Sequence, residues 1–326
     1  IPTDEGTQRC VHLFLNDPGH HQVAVTARLG SLDTWKWPDS PAPHKARFLE
    51  ERLIHTPGVE SCFRANLSLE SDPYLRDHQF EGSFLFPTVF GLEAMAQAAA
   101  HALGSRGLHQ LCFEEVRLER PITVDPRRGA EILISAEVLE AAAPKAPPVV
   151  QCAIYKAHTG VRSPFFSARL VLPTPADPET IALQAPDRPT ALVPLDDLYR
   201  EGILFQGPRY QRILKVLDIE APATDTGRAL LDAEHRPAAM AAAEAFGDAV
   251  ETEMLLGDPF FRDALLQSAA LLVPQDVSLP IYIKRWEIYN RPPAAPTPRR
   301  VEVRLLARED GHLRNTVTTV DGAGMV

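Results

Sequence analysis

Asp72 to Gly104 reads DPYLRDHQFEGSFLFPTVFGLEAMAQAAAHALG, and the rest of the chain can be placed around it. His78 opens a tight, aromatic-rich segment, Gly82 follows it, and Pro87 comes next. From Pro87 the pattern turns helical: Val89, Leu92, Met95, Ala96, Ala99 and Leu103 recur at the spacing of one helix face. Proline suits the first turn of a helix, where its missing N–H costs nothing, and Gly104 suits its end. Alanine stands at 94, 96, 98, 99, 100 and 102, so the helix is small and apolar on most sides. Such a helix is suited to burial on several faces, as when a curved sheet wraps it. A histidine just ahead of it lies beside the unpaired, partly positive N–H groups of the first turn, which form a ready site for an oxyanion.

Working outward, the composition is that of a globular chain of one large or two ordinary domains, 326 residues with 45% hydrophobic and 23% charged. No apolar run is long enough for a membrane span. The chain begins at Ile1, without Met or a signal-like apolar core, as an excised piece of a longer polypeptide would. Cys10, Cys62, Cys112 and Cys152 sit singly, with no CxxC pair, and read as reduced residues in a cytoplasmic setting. The formal charge of −10 argues against a nucleic-acid partner of the usual basic kind.

Residues 1–45 read as a flanking segment. Within it Val11–Leu15 and Gln22–Leu29 form a hairpin pattern across Asn-Asp-Pro-Gly, and His20-His21 read as a solvated turn, since no further metal ligands cluster nearby. Residues 45–55 read as a short amphipathic helix. A first unit then runs over 46–172: a strand at Val59–Leu69, the His78 stretch and helix, and strands at Leu111–Leu118, Ala130–Leu139, Val149–His158 and Phe165–Leu172. A strand, a buried helix and several antiparallel strands is the order of a hotdog fold. Residues 173–194 hold prolines at 173, 175, 178, 186, 189 and 194 and read as a linker. A second unit, 195–326, repeats the order. It has a helix at Leu195–Arg200, a strand-and-turn segment over Gly202–Tyr210, strands at Lys215–Ile219 and Gly227–Leu231, and a further strand within Met240–Val250. A second apolar helix at Phe260–Leu272 and strands at Ile281–Tyr289, Arg300–Ala307 and Arg314–Val320 complete it. The expected class is α+β, a double hotdog: two antiparallel sheets, each wrapped around a central helix, paired as a pseudo-dimer in one chain.

The two central helices share a signature. Asp263 and Gln267 lie at i and i+4 on one, and Glu93 and Gln97 repeat that spacing on the other, so each pair faces one way. The step from His78 to Glu93, carried back from Asp263, lands on Asp248, and no histidine lies between His235 and His312. One reacting site is therefore expected, with Glu93 and Gln97 packing or hydrogen-bonding structurally.

His78-x-x-x-Gly82-x-x-x-x-Pro87 resembles the HxxxGxxxxP motif of the dehydratase domains of polyketide and fatty acid synthases. Gly91-Leu92-Glu93-Ala94-Met95-Ala96-Gln97 looks like the central helix of hotdog 3-hydroxyacyl-carrier dehydratases. Asp263-x-x-x-Gln267 resembles the second dehydratase motif, DxxxQ, and Gly207-Pro208 with Tyr210 resembles GYxYGPxF, although Gln206 stands where the family has an aromatic residue. The iterative synthases of polyunsaturated-fatty-acid or enediyne type are the subtypes it is most similar to. The resemblance implies a split catalytic pair, His78 from the first half and Asp263 from the second. It also implies a 3-hydroxyacyl substrate on the phosphopantetheine of an acyl carrier protein, no metal or redox cofactor, and neighbouring synthase domains as partners. A homodimer is one assembly open to it.

The residue types suit that chemistry. Losing water from a 3-hydroxyacyl thioester requires removal of a C2 proton and protonation of the C3 hydroxyl. A neutral histidine can do the first, and a carboxyl kept protonated by apolar surroundings can do the second. Phe84, Phe86, Phe260, Leu265 and Leu266 are candidates for those surroundings, Gln267 for orienting the carboxyl, and the N–H groups of Thr88 and Val89 for holding the thioester oxygen. A second route has His78 moving both protons while Asp263 binds the hydroxyl. Arg209, Arg212, Lys284 and Arg285 are candidates for carrier contact or for a solvated surface. The same fold and pair also serve product-template-like cyclases, pyran-forming cyclases and double-bond isomerases, and a degenerate domain would act as a scaffold only.

Overall fold

The computed structural model describes residues 7–8, 11–12, 46–105, 110–139, 147–161, 163–172, 180–187, 193–200, 203–220, 226–247, 252, 254–273, 279–289, 293–309 and 312–325. Contacts divide the chain into Ile1–Ala42 and Pro43–Val326. In the first unit the described residues, 7–8 and 11–12, are helical, so Val11 does not open a strand. The rest of the expected hairpin, with His20-His21 and Cys10, lies outside the described residues.

The second unit begins with strands β1 (Glu51–Thr56), β2 (Glu60–Leu67), β3 (Gln79–Phe80) and β4 (Ser83–Leu85), followed by helix α1 (Thr88–Ala102). Strands β5 (Gln110–Leu118), β6 (Thr123–Val124), β7 (Ala130–Leu139), β8 (Val149–Lys156) and β9 (Phe166–Val171) complete its first half. Helix α2 (Leu195–Arg200), strands β10 (Ile213–Glu220) and β11 (Gly227–His235), helices α3 (Ala238–Phe246) and α4 (Pro259–Ala270), and strands β12 (Tyr282–Tyr289), β13 (Thr297–Glu309) and β14 (His312–Val320) follow.

Among the described residues two large antiparallel sheets form, each around its own helix, the double hotdog, while β3, β4 and β6 make a small third sheet. The first has the order β1-β2-β7-β8-β9-β5-β12 and the second β10-β11-β13-β14. Alternation along β7, buried at every second residue from Ala130 to Ala136, turns one face of the first sheet onto α1. Every residue of α1 from Val89 to Ala100 is buried. Its small side chains let the sheet approach closely: a Cβ on Gly91 would stand 2.7 Å from the ring of Phe166. Helix α4 packs on β11, β13 and β14 and also against α1. Phe260 faces the first core, whereas Phe261 and Ala264 enter the second. The sheet of the first half continues into the second through β12, whose Tyr282 to Tyr289 pair antiparallel with Arg117 to Gln110 of β5.

Within Pro43–Val326 three further segments differ from the sequence expectation. Residues 46–50 form a turn and β1 replaces the expected helix, because Pro57 and Gly58, the latter at φ +72°, turn the chain back so that Glu51–Thr56 can pair with β2. The alanine-rich stretch read as strand within Met240–Val250 is helical at Ala238–Phe246, as its side chains favour. It ends at Gly247, φ +76°, and Asp248 lies outside the described residues. Between Ile203 and Gln206 the chain is irregular, and Pro208–Tyr210 forms a single 3₁₀ turn in place of a strand. Cys112 and Cys152 are buried and Cys62 is half-buried, all three as free thiols.

Candidate active site

His78 stands at the base of a hairpin. Glu81 and Gly82, at φ +46° and +77°, form the two-residue turn between β3 and β4, in which Phe80 faces Ser83. Both central residues need positive φ, which glycine adopts without strain. The hairpin closes on His78 itself: Leu85 donates its N–H to the His78 carbonyl at 3.0 Å, and His78 Nδ1–H donates to the Leu85 carbonyl at 3.1 Å. That bond fixes the tautomer and leaves Nε2 as the basic nitrogen. Burial pushes the imidazole down to about 4, so the ring is neutral near pH 7. Pro87, two residues past Leu85, caps α1, and Phe90 and Gly91 make the first in-helix bonds to its carbonyl at 3.1 and 3.0 Å. The N–H groups of Thr88 and Val89 therefore stand ahead of the hydrogen-bonded turns, at the positive end of a buried helix.

Asp263 lies in the second turn of α4 and is 4% exposed. Gln267 Nε2 donates to its Oδ2 at 2.8 Å and to the Tyr210 carbonyl at 3.1 Å, while the Tyr199 hydroxyl donates to Gln267 Oε1 at 3.0 Å. The glutamine is held on three sides and orients the carboxyl. Burial drives the Asp263 carboxyl up to about 7, against the smaller opposing effect of the Gln267 bond.

Tyr210 joins the two. Its ring meets the ring of His78 at 5.2 Å and that of Phe260, on α4, at 5.0 Å. Among the described residues its buried hydroxyl has no hydrogen-bond partner, and its pKa is raised well above the ordinary value by burial and then by the negative charge of Asp263. Phe205 adds a second aromatic wall, 5.1 Å from His78 and 5.3 Å from Phe80. Gly207 and Pro208 place this turn. Gly207 N–H donates to the Asp77 carbonyl at 2.7 Å, and Arg209 Nη1 donates to Asp77 Oδ2 at 2.5 Å.

Of the expected apolar neighbours, Phe260 faces Tyr210, whereas Phe86 meets Phe48 and Phe166 in the first core and Leu265 enters the second. Sequence reasoning missed Asp77, Tyr199 and Phe205, whose contacts span distant parts of the chain. Among the described residues no cluster of three or more His, Cys, Asp or Glu side chains is grouped as metal ligands would be. Three of the basic residues that were candidates for carrier contact or a solvated surface are engaged within the chain: Arg209 by Asp77, the buried Arg212 by Glu244, and Arg285 by Glu114 and Glu287.

A double hotdog with a buried histidine ahead of one central helix and a buried acid–glutamine pair on the other is the class this fold and site define. Comparison with known proteins agrees. The family described as polyketide synthase dehydratase domain matches residues 47–144, and that described as polyketide synthase dehydratase N-terminal domain matches residues 175–326. No curated protein matches the chain. Among solved structures, a trans-AT polyketide synthase dehydratase domain from Brevibacillus brevis is similar at TM-score 0.62 and 19% identity, over 87% of this chain and 95% of that one. The dehydratase domain of RzxB from Pseudomonas fluorescens is similar at 0.62 and 16%, over 86% and 95%. The dehydratase domain from the CurF module of curacin polyketide synthase gives 0.60 and 18%, over 86% and 94%. The chain belongs to the polyketide synthase dehydratase domain family, the hydro-lyases of multidomain synthases.

Proposed function

We propose that this chain removes water from a 3-hydroxyacyl group carried on the phosphopantetheine of an acyl carrier protein, giving the 2-enoyl thioester. His78 is the base and Asp263 the acid. The observation that carries this reading is the opposite tuning of two buried groups. The imidazole has its Nδ1 proton committed to Leu85 and is pushed down to about 4, while the carboxyl is pushed up to about 7. Two titratable groups driven apart in this way suit a base and an acid working at one pH. Nε2 of His78 takes the C2 proton, and the thioester oxygen gathers charge against the N–H groups of Thr88 and Val89. Protonated Asp263 gives its proton to the C3 hydroxyl, the C–O bond breaks, and the C2–C3 double bond and water result. Gln267 orients the acid, Tyr210 and Phe205 wall the site, and the steps need neither metal nor redox cofactor.

The carrier's side of the reading is supported by charge. Arg76, Arg127 and Arg128 line one cleft with Glu70, Gln79 and Phe84, the last two being strand residues beside His78. The lining holds three arginines against the single acid Glu70, so an acidic carrier would meet an excess of positive charge there. The test of the reading is mass spectrometry with synthetic 3-hydroxyacyl thioesters. Loss of one water, abolished in His78→Ala, is the expected result. An altered product of unchanged mass would instead indicate a cyclase or isomerase, and an unaltered substrate a scaffold.

A further inference from the structure

Helices α1 and α4 carry the same pair, and the two pairs are built alike. Gln97 Nε2 donates to Glu93 Oε1 at 2.8 Å, as Gln267 Nε2 does to Asp263 Oδ2 at 2.8 Å. Each glutamine oxygen is occupied in turn, that of Gln97 by the Phe48 N–H at 3.2 Å and that of Gln267 by the Tyr199 hydroxyl at 3.0 Å. The acids differ. Among the described residues Asp263 accepts only from Gln267. Glu93, fully buried, also accepts the Leu255 N–H at Oε1 and the Leu256 N–H at Oε2, both at 2.8 Å.

Those two N–H groups belong to the turn that leads into α4. Gly257 follows at φ +78°, and then Asp258 caps the helix, its Oδ1 accepting from Phe260 and Phe261 at 2.9 and 3.2 Å and its Oδ2 from Arg236 at 2.9 Å. The buried Arg262 is attracted to both Asp258 and Glu93. A carboxylate gripping two successive backbone donors has no freedom left, and charge-assisted bonds of this kind are the strong ones.

We infer that Glu93 is a positioning residue for Asp263: its carboxylate clamps the Leu255–Leu256 turn and so sets the rotation and depth at which α4 enters the site. The position that answers to Asp263 in the other half thus serves as a clamp on that turn. The inference rests on the reading of Asp263 as the acid. A reacting group displaced by about 1 Å through a change away from the chemistry can cost roughly 10²-fold in rate, so a clamp on the helix start bears on turnover.

Glu93→Gln tests this, because an amide has one oxygen and its NH₂ must face the second backbone donor. Gly257→Ala strains the same turn from the other side, where φ is positive, without touching α1. Both variants are expected to lower kcat by about 10- to 100-fold with KM little changed. Ile134→Ala, chosen on β7 of the first core to lose similar thermal stability, should leave kcat near wild type. Wild-type kcat in both Glu93→Gln and Gly257→Ala, with only Tm lowered, would overturn the inference.

A substrate-free readout separates this from failure of the dehydratase reading. The Asp263 carboxyl titration can be followed by ¹³C NMR, with Asp263→Asn for assignment. The groups facing it are Gln267 on α4, Tyr199 on α2, Tyr210 on the 3₁₀ turn and, across Tyr210, His78; both tyrosines are pushed up by burial and stay neutral. If the wild type leaves the thioester intact, a moved midpoint in Glu93→Gln still supports the clamp, and an unmoved one overturns it.

Discussion

Gly207 donates its N–H to the carbonyl of Asp77 at 2.7 Å, and this bond ties the turn of the second half to the residue before His78. A Cβ on Gly207 would stand 2.7 Å from Asp77 Oδ1, 2.9 Å from its Cβ and 3.0 Å from its Cα. Its φ of −75° is open to any residue, so the demand for glycine is one of space alone.

Gly207→Ala is therefore expected to push the 3₁₀ turn, and Tyr210 with it, away from His78. Overpacking of this kind costs about 1–3 kcal/mol, and thermal unfolding should show the loss. Turnover should fall further than stability explains, since Tyr210 touches His78 and supplies the carbonyl that holds Gln267. Wild-type Tm and rate together would show that the turn can shift without effect on the site.

The pH profile follows from the two tuned groups. With His78 required neutral and Asp263 required protonated, kcat/KM should fall below about 4 and above about 7. Asp263 also leaves a mark on stability. Its carboxyl is raised in the folded chain, so its contribution is present below the ordinary value of 3.8 and lost as pH rises through about 7. Asp263→Asn should then be stabilised relative to wild type at pH 8 but not at pH 4, as chemical denaturation at the two pH values will show.

Charge reversal in the arginine cleft should separate carrier docking from chemistry. With Arg76, Arg127 and Arg128 changed to Glu, KM for a carrier-borne 3-hydroxyacyl substrate should rise by about tenfold or more and the salt dependence should weaken. A small soluble 3-hydroxyacyl thioester should be turned over as before. Equal loss on both substrates would place the arginines in the fold of the site, and no loss on either would remove the cleft from carrier binding.

Much of this was legible because it is local. The hairpin and helix around His78, Gly82 and Pro87 are set within one stretch, by a turn that needs Gly82 and an alanine-rich helix that must be buried. The strands of the first half declare themselves by alternation, as at Ala130–Leu139. What escaped reading depends on distant partners. Glu51–Thr56 is a strand because β2 lies beside it, and the Pro57-Gly58 turn was its one local sign. The helix at Ala238–Phe246 stands where a strand is expected within Met240–Val250, in keeping with its own alanine content. Gly207 is seen as a motif residue in sequence, but the reason for it, the side chain and Cα of Asp77, lies far off in the chain. The grip of Glu93 leaves no sequence signature, since its partners are the backbone N–H groups of Leu255 and Leu256.

In the proposed mechanism Asp263 gives a proton to the leaving hydroxyl, and Asp263→Asn removes that proton alone. Asparagine nearly matches aspartate in shape, so α4 should pack and the thioester should still bind. Its amide can donate a hydrogen bond but cannot transfer the proton. The measurement is single-turnover water loss from a 3-hydroxyacyl thioester at pH 6, with binding followed in parallel. The predicted result is a fall of about 10²-fold or more in water loss with binding retained. Water loss near the wild-type rate in Asp263→Asn would contradict the claim and leave His78 to move both protons.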